Sequence, residues 1–286
     1  MQQRRIGNLT VGAIGLGAMP LSTKTDRPSR EEAAGVVHAA LDAGVTLVDT
    51  ADAYSLDEAE FGHNEELVAE ALRSYGPGAA DVLVATKGGH TRRGTDWELD
   101  GTPSYLRRAC EASLRRLGVE AIGLYQFHRP DPATPWEESI GALRQLADDG
   151  LVRMVGISNA DIAQIDAARS ILGDALVSVQ NQFSPGWRSS AGELAHCAEL
   201  GLAWLPWSPF GGVPAAGSLG SSAPAFAEVA DELGASVHQV ALAWHLAQSD
   251  VVVPIPGASR RESIVDSAAA ADLKLTPEQL ARLDAA

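Results

Sequence analysis

From residue 13 onward the chain alternates short apolar runs with longer stretches whose apolar positions recur three and four residues apart. The short runs predict buried strands at Ala13–Met19, Val45–Asp49, Val82–Thr86, Ile122–Phe127, Met154–Ile157, Leu176–Gln180, Leu202–Pro206 and Val251–Pro254. Between them, sets such as Val36, Val37, Ala40 and Leu41, or Leu106, Cys110, Leu114 and Leu117, mark one face of a helix. Glycines at 44, 118, 150, 173 and 201 stand where those helices should stop. Eight strands apolar enough to be buried on both faces, alternating with helices, predict an α/β fold of the (β/α)8 TIM-barrel class. No linker or break in composition divides residues 1–286, so a single domain is expected.

The pattern departs from plain repetition in a few places. The glycine-rich start reads as an N-terminal β-hairpin leading into the first strand. Extra helices are expected at Pro224–Leu233 and Val237–Gln248, before the eighth strand, and near Pro277–Asp284 at the C-terminal end. Two connections, Gly88–Gly101 and Ser208–Ala223, are long for a compact fold, and such loops are usually lids or binding segments.

Composition narrows the class. A net charge of −15 leaves no broad basic face for nucleic acid. Cys110 and Cys197 make neither a disulfide framework nor a four-ligand zinc site, and Cys110 falls on a helix's apolar stripe, buried and inert. Arg4-Arg5 hints at a twin-arginine signal, but the run after it is broken by glycines and by Pro20 and shows no cleavage site. The expectation is a soluble, cytoplasmic protein with no membrane span.

In a parallel barrel the chemistry sits at the C-terminal ends of the strands. Read in order, those ends carry Asp49, Lys87, His128, Ser158-Asn159, Gln180 and Trp207. Lys87 is the sharpest signal. The chain holds only three lysines, at 24, 87 and 274, yet one follows the apolar Val-Leu-Val-Ala-Thr run. A buried ammonium needs a counter-charge, which Asp49 can supply. A charged Lys87 near Tyr54 would pull the phenol below its usual pKa of about 10 and make it a usable general acid. His128 could then hydrogen-bond a substrate carbonyl. No His-x-His or His-Glu-x-x-His pattern occurs, so no metal is expected.

Asp-Thr-Ala-Asp-Ala-Tyr (49–54), Thr-Lys-Gly-Gly (86–89), Leu-Tyr-Gln-Phe-His (124–128), Gly-Ile-Ser-Asn (156–159), Gln180, Trp-Ser-Pro-Phe-Gly (207–211) and Ile-Pro-Gly-Ala-Ser-Arg (255–260) together resemble the aldo-keto reductase family in order and spacing. The resemblance implies a catalytic tetrad in which Tyr54 is the acid, Lys87 and Asp49 tune it, and His128 positions the carbonyl. It also implies NADPH as cofactor, with Ser158, Asn159 and Gln180 on the nicotinamide carboxamide and Trp207 stacked on the ring. Ser208, Pro209, Phe210, Gly211 and Gly212 would lie along the pyrophosphate. Ser259 and Arg260 match positions that contact the 2′-phosphate, a charge-assisted contact of about 1.5–3 kcal/mol, or roughly 10- to 100-fold over NADH. Asp266-Ser267 stands where the family often shows Glu-Asn, which weakens the expected adenine contact at Asp266. No long C-terminal loop of the kind found in many eukaryotic members is expected after the last helix, so substrate selection is expected to fall on Tyr54, Trp97, His128 and the two long loops. Trp97 is read either as a lid residue or as plain loop packing.

Two dehydrogenase alternatives fail on the sequence. Gly15-Leu-Gly17 is followed by Pro20 where a Rossmann turn needs glycine, and no tyrosine is followed four residues later by lysine. Two others stay open: a Schiff-base lyase using Lys87, and a non-catalytic NADPH-binding sensor on the same fold. The expected activity is NADPH-dependent reduction of aldehydes or reactive ketones, with pyridoxal-like and small aromatic or aliphatic aldehydes as candidate substrates and a small carbonyl compound as the partner.

Overall fold

A computed structural model describes residues 1–286, the side chains of Val213 and Pro214 excepted. It opens with an antiparallel hairpin, β1 (Gln3–Ile6) and β2 (Leu9–Gly12). The parallel strands that follow are β3 (Leu16–Gly17), β4 (Leu47–Asp49), β5 (Leu83–Gly88), β8 (Ile122–Phe127), β9 (Val152–Ser158), β10 (Leu176–Gln180) and β11 (Ala203–Trp204). A second hairpin, β6 (His90–Arg93) and β7 (Asp96–Leu99), interrupts the series after β5. Helices α1 (Arg30–Asp42), α2 (His63–Tyr75), α3 (Pro103–Leu117), α4 (Trp136–Asp148), α5 (Ile162–Leu172) and α6 (Ala191–Leu200) alternate with the parallel strands. Two helical turns, α7 (Val213–Ala216) and α8 (Leu219–Ser222), lead into α9 (Pro224–Leu233), α10 (Val237–Gln248), α11 (Arg261–Ala269) and α12 (Pro277–Asp284).

The parallel strands run in the order β11-β10-β9-β8-β5-β4-β3, so neighbours in sequence are neighbours in space. Residues 251–257 close the ring. Val252 bridges Trp204 on one side and Gly257 bridges Gly17 on the other. The expected eighth strand is therefore present as single bridges rather than as a ladder. On its β3 side, Pro254 and Pro256 offer only carbonyls, accepting from the amides of Gly15 and Gly17 at 2.9 Å each.

Local chemistry fixes the helix ends. Capping boxes open α1 (Ser29 with Glu32), α5 (Asp161 with Gln164), α10 (Ser236 with Gln239) and α12 (Thr276 with Gln279). Gly118 and Gly201 close α3 and α6 at φ 69°, a conformation that would cost any other residue.

Side chains pointing into the ring form two layers. The lower is apolar: Leu47, Leu83, Ala85, Leu124, Met154, Val177, Ala203, Leu205 and Val253. The first hairpin plugs its base with Ile6 and Val11, 0% and 2% exposed. One pleat higher on the same strands come Asp49, Lys87, Gln126 and Gln180, all buried and all polar. Strand periodicity carries the same face from core to site on β4, β5 and β8, whereas on β10 a register shift between Leu176 and Ser178 puts Val177 and Gln180 on one face.

The 88–101 connection is not the open loop expected from its polarity. It folds as the β6–β7 hairpin, turned by Gly94-Thr95, with Gly94 at φ 57°. A two-residue turn with positive φ at its first residue matches the twist of the paired strands. Cys110 is buried as expected, Cys197 is buried too, and burial pushes both thiols up to about 12. Among the described residues no helix is long and apolar enough to cross a membrane, and no cluster of potential metal ligands occurs.

Candidate active site

Tyr54, Lys87, Asp49 and His128 meet at the rim. The Lys87 Nζ donates to Asp49 Oδ1 (2.5 Å), to the Thr50 carbonyl (2.9 Å) and to Tyr54 Oη (3.0 Å). Three acceptors use all three ammonium protons. Asp49 Oδ2 accepts from Gln126 Nε2 (3.1 Å) and Gln180 Nε2 (2.9 Å), so both carboxylate oxygens are satisfied inside the ring. Gln126 has room to reach it because position 156 is glycine. A Cβ there would fall 2.9 Å from Gln126 Cγ and closer still to Ser178 Oγ. The His128 ring stands edge-on to Tyr54, centroids 5.6 Å apart.

Burial opposes the Lys87 charge, but Asp49 and Tyr54 outweigh it and raise its pKa. Lys87 is an ammonium. Burial also raises Tyr54 above the ordinary phenol, with the Lys87 charge the largest opposing influence. This corrects the expectation of a lowered phenol pKa. Desolvation of a phenolate at this largely buried position exceeds the help of a lysine already shared with Asp49. Tyr54 therefore holds its proton at neutral pH, as an acid must. Burial, then the charge on Lys87, keeps His128 well below its usual range, so its imidazole is neutral.

A cavity of about 440 Å³ extends from Tyr54 across the rim to the long loop after β11. Of the residues expected at the cofactor, it is lined by Ser158, Asn159, Gln180, Trp207, Ser208, Pro209, Phe210 and Gly212. Ser158 Oγ donates to the Gln180 carbonyl at 2.6 Å, and Asn159 Nδ2 donates to Ser158 Oγ and the His128 carbonyl. Asn159 (φ 59°) and Ser208 (φ 51°) are non-glycine residues held left-handed, a cost of about 1–3 kcal/mol each that surrounding structure must sustain. Gly211 and Gly212 continue the turn at φ 86° and 97°. Gly211 itself, Ser259, Arg260 and Asp266 do not line this cavity. Arg260 is the exposed cap of α11, and the Asp266 carboxylate accepts from Ser236 Oγ and Gln239 Nε2 at the start of α10.

The model of the aldo/keto reductase family matches residues 13–286. The chain belongs to this family. It is 34% identical over 284 residues to an uncharacterized oxidoreductase of Schizosaccharomyces pombe, covering 98% of this chain and 88% of that one. It superposes on the aldo/keto reductase of Klebsiella pneumoniae crystallised with NADP and acetate, with TM-score 0.82 and 27% identity, covering 99% and 94% of the two chains. It superposes likewise on the glycerol dehydrogenase of Gluconobacter oxydans, with TM-score 0.84 and 28% identity, again covering 99% and 94%.

In this aldo/keto reductase the β6–β7 hairpin forms the cavity's outer wall. Trp97, 44% exposed, lies 6.4 Å from the Tyr54 ring and 5.3 Å from that of His90, while the Arg92 guanidinium sits 4.1 Å from its centroid. Arg92 also donates to the carbonyls of Ser55 (2.7 Å) and Leu56 (2.6 Å), and Gly94 exchanges two hydrogen bonds with Glu58. The hairpin is thus tied to the segment that follows Tyr54. His90 packs edge-on against His128 at 4.3 Å, and burial lowers its pKa to about 4.

Sequence reasoning missed Gln126, His90 and Arg129 as members of the site. Gln126 was within reach, since it lies two residues before His128 on a strand and so on the same face. His90 was hidden because its approach depends on a hairpin that read as loop.

Proposed function

We propose that this chain, one barrel domain over its whole length, is an NADPH-dependent carbonyl reductase converting aldehydes or reactive ketones to alcohols. The observation that carries this reading is the direction of one hydrogen bond. Tyr54 Oη accepts from Lys87, so its own proton is free to point into the cavity. A carbonyl oxygen placed against Tyr54 and the neutral His128 would receive that proton and a second hydrogen bond. As the proton leaves, the Lys87 ammonium stabilises the developing phenolate, and Asp49 with its two glutamine donors keeps that ammonium in place.

The groove fits a nicotinamide dinucleotide. Trp207 offers an aromatic face, and its buried Nε1 has no protein partner. Ser158, Asn159 and Gln180 converge at the rim beside it, and the turn from Ser208 to Gly212, left-handed at Ser208, Gly211 and Gly212, would let backbone approach a diphosphate closely. The bound cofactor supplies the hydride that the carbonyl carbon takes up. Ser259 and Arg260 would meet the 2′-phosphate, with Asp266 near the adenine. The Klebsiella pneumoniae relative crystallised with NADP supports the choice of cofactor.

A Schiff-base lyase fits less well, because Lys87 has no free lone pair with which to attack. The test is cofactor oxidation, NADPH beside NADH, over aldehydes, ketones and pyridoxal. Fluorescence-detected NADPH binding without turnover of any carbonyl compound would replace this reading with that of a sensor. Borohydride trapping of substrate on Lys87 would replace it with the lyase.

A further inference from the structure

We propose that Arg129 receives an anionic group of the substrate, so that the preferred substrates are aldehydes or ketones bearing a carboxylate or phosphate away from the reacting carbon. This rests on the reductase reading above and names the substrate class for the same cavity.

The grounds are the charges that the cavity presents. Among its described lining residues, only Asp49 and Arg129 carry formal charge apart from histidines. Asp49 is cancelled by Lys87 at 2.5 Å. His90 and His128 are both held neutral by burial. What remains is one uncompensated positive charge at the mouth, in a chain whose net charge is −15.

Arg129 is exposed, directly follows His128, and makes one long hydrogen bond, Nη2 to Asn159 Oδ1 at 3.3 Å. The nearby carboxylate of Asp131 is taken up by the amides of Gly101 and Ala133 and by Thr134 Oγ1. Most of the guanidinium fork is therefore available to an incoming carboxylate or phosphate, whose oxygens it matches in spacing. An anion entering here meets no opposing unpaired carboxylate on the cavity wall.

The experiment compares charged and neutral partners of similar shape in wild type, Arg129→Gln and Arg129→Lys. One arm sets 4-formylbenzoate against its methyl ester. The other sets glyceraldehyde 3-phosphate against glyceraldehyde. The expected result is a kcat/KM ratio of about 10–100 in favour of the anion in at least one arm, carried mainly in KM. It should fall to about one in Arg129→Gln, recover in part in Arg129→Lys, and leave the NADPH Kd unchanged. Which arm responds tells carboxylate from phosphate. Turnover of the neutral members with no wild-type preference in either arm overturns the proposal and leaves the reductase reading intact. So does an equal loss on both members of a pair, or a weakened NADPH Kd, because Arg129 would then act only by holding Asn159. If nothing is reduced, the reductase reading fails by itself. Binding of 4-(hydroxymethyl)benzoate to the NADP⁺ complex still decides the anion site, which requires about tenfold weaker binding in Arg129→Gln.

Discussion

The two ends of this barrel are built from the same strands and the same inward face, yet they differ in kind. At the base, Ile6 and Val11 of the first hairpin close over Leu47, Leu83, Leu124 and Val253, with no polar side chain to satisfy. One pleat above, Asp49, Lys87, Gln126 and Gln180 are equally buried but charged or amide-bearing, and every hydrogen bond among them is specific in direction. The base is held by area removed from water and tolerates changes of shape. The rim is held by mutual satisfaction, so removing one member strands the others. Stability and chemistry are thus separated by about one pleat along each strand.

The sharpest break of this contrast is Tyr54→Phe. Turnover should fall by about 10²–10⁴, the range for a lost general acid, with cofactor affinity and the urea midpoint nearly unchanged. Wild-type-like turnover would take Tyr54 out of the mechanism. Lys87→Met should abolish measurable reduction as well, and should also destabilise by about 3–5 kcal/mol because the Asp49 carboxylate stays buried without its cation. The double variant Asp49→Leu with Lys87→Met should regain much of that stability in urea unfolding and none of the activity. Failure to regain it would mean that Gln126 and Gln180, not the ion pair, govern the rim.

At the other end, Ile6→Ala should cost about 2–5 kcal/mol through a cavity at the base, while kcat per folded molecule stays at the wild-type level. A matching fall in kcat would show that the two layers are coupled.

The smallest effect concerns His90. Its folded pKa of about 4 lies below the ordinary 6.5, so the unfolded chain binds more protons between those values. Its contribution to stability is full above about pH 6.5, is lost as pH falls toward 4, and then levels off. Urea midpoints across that window should slope less in His90→Asn than in wild type.

Much of the rim was legible along the chain. Polar residues directly after apolar strands pointed to Asp49, Lys87 and His128, and the scarcity of lysine singled out position 87. Strand positions follow the apolar runs, with identical bounds at Ile122–Phe127 and Leu176–Gln180, but the first and seventh shorten to Leu16–Gly17 and Ala203–Trp204, and at residues 251–257 two prolines limit the ladder. The direction of the Tyr54 shift was not legible, because spacing conveys which charges approach a phenol, not how completely water is removed around it. The hairpin that brings His90 and Trp97 to the cavity has two short polar strands that resemble loop in sequence, with Gly94-Thr95 its one turn signal.

The sequence by itself determined the alternation of elements, the apolar faces and the residue types at each strand end, since these follow from periodicities of 2 and 3.6 and from turn chemistry. Only the tertiary structure decided which of those residues touch. Asp49 and Gln180 are 131 positions apart and share a hydrogen bond because the ring closes. The protonation of Tyr54, His90 and His128 was decided there too, because desolvation belongs to the enclosed site and not to any one stretch of chain.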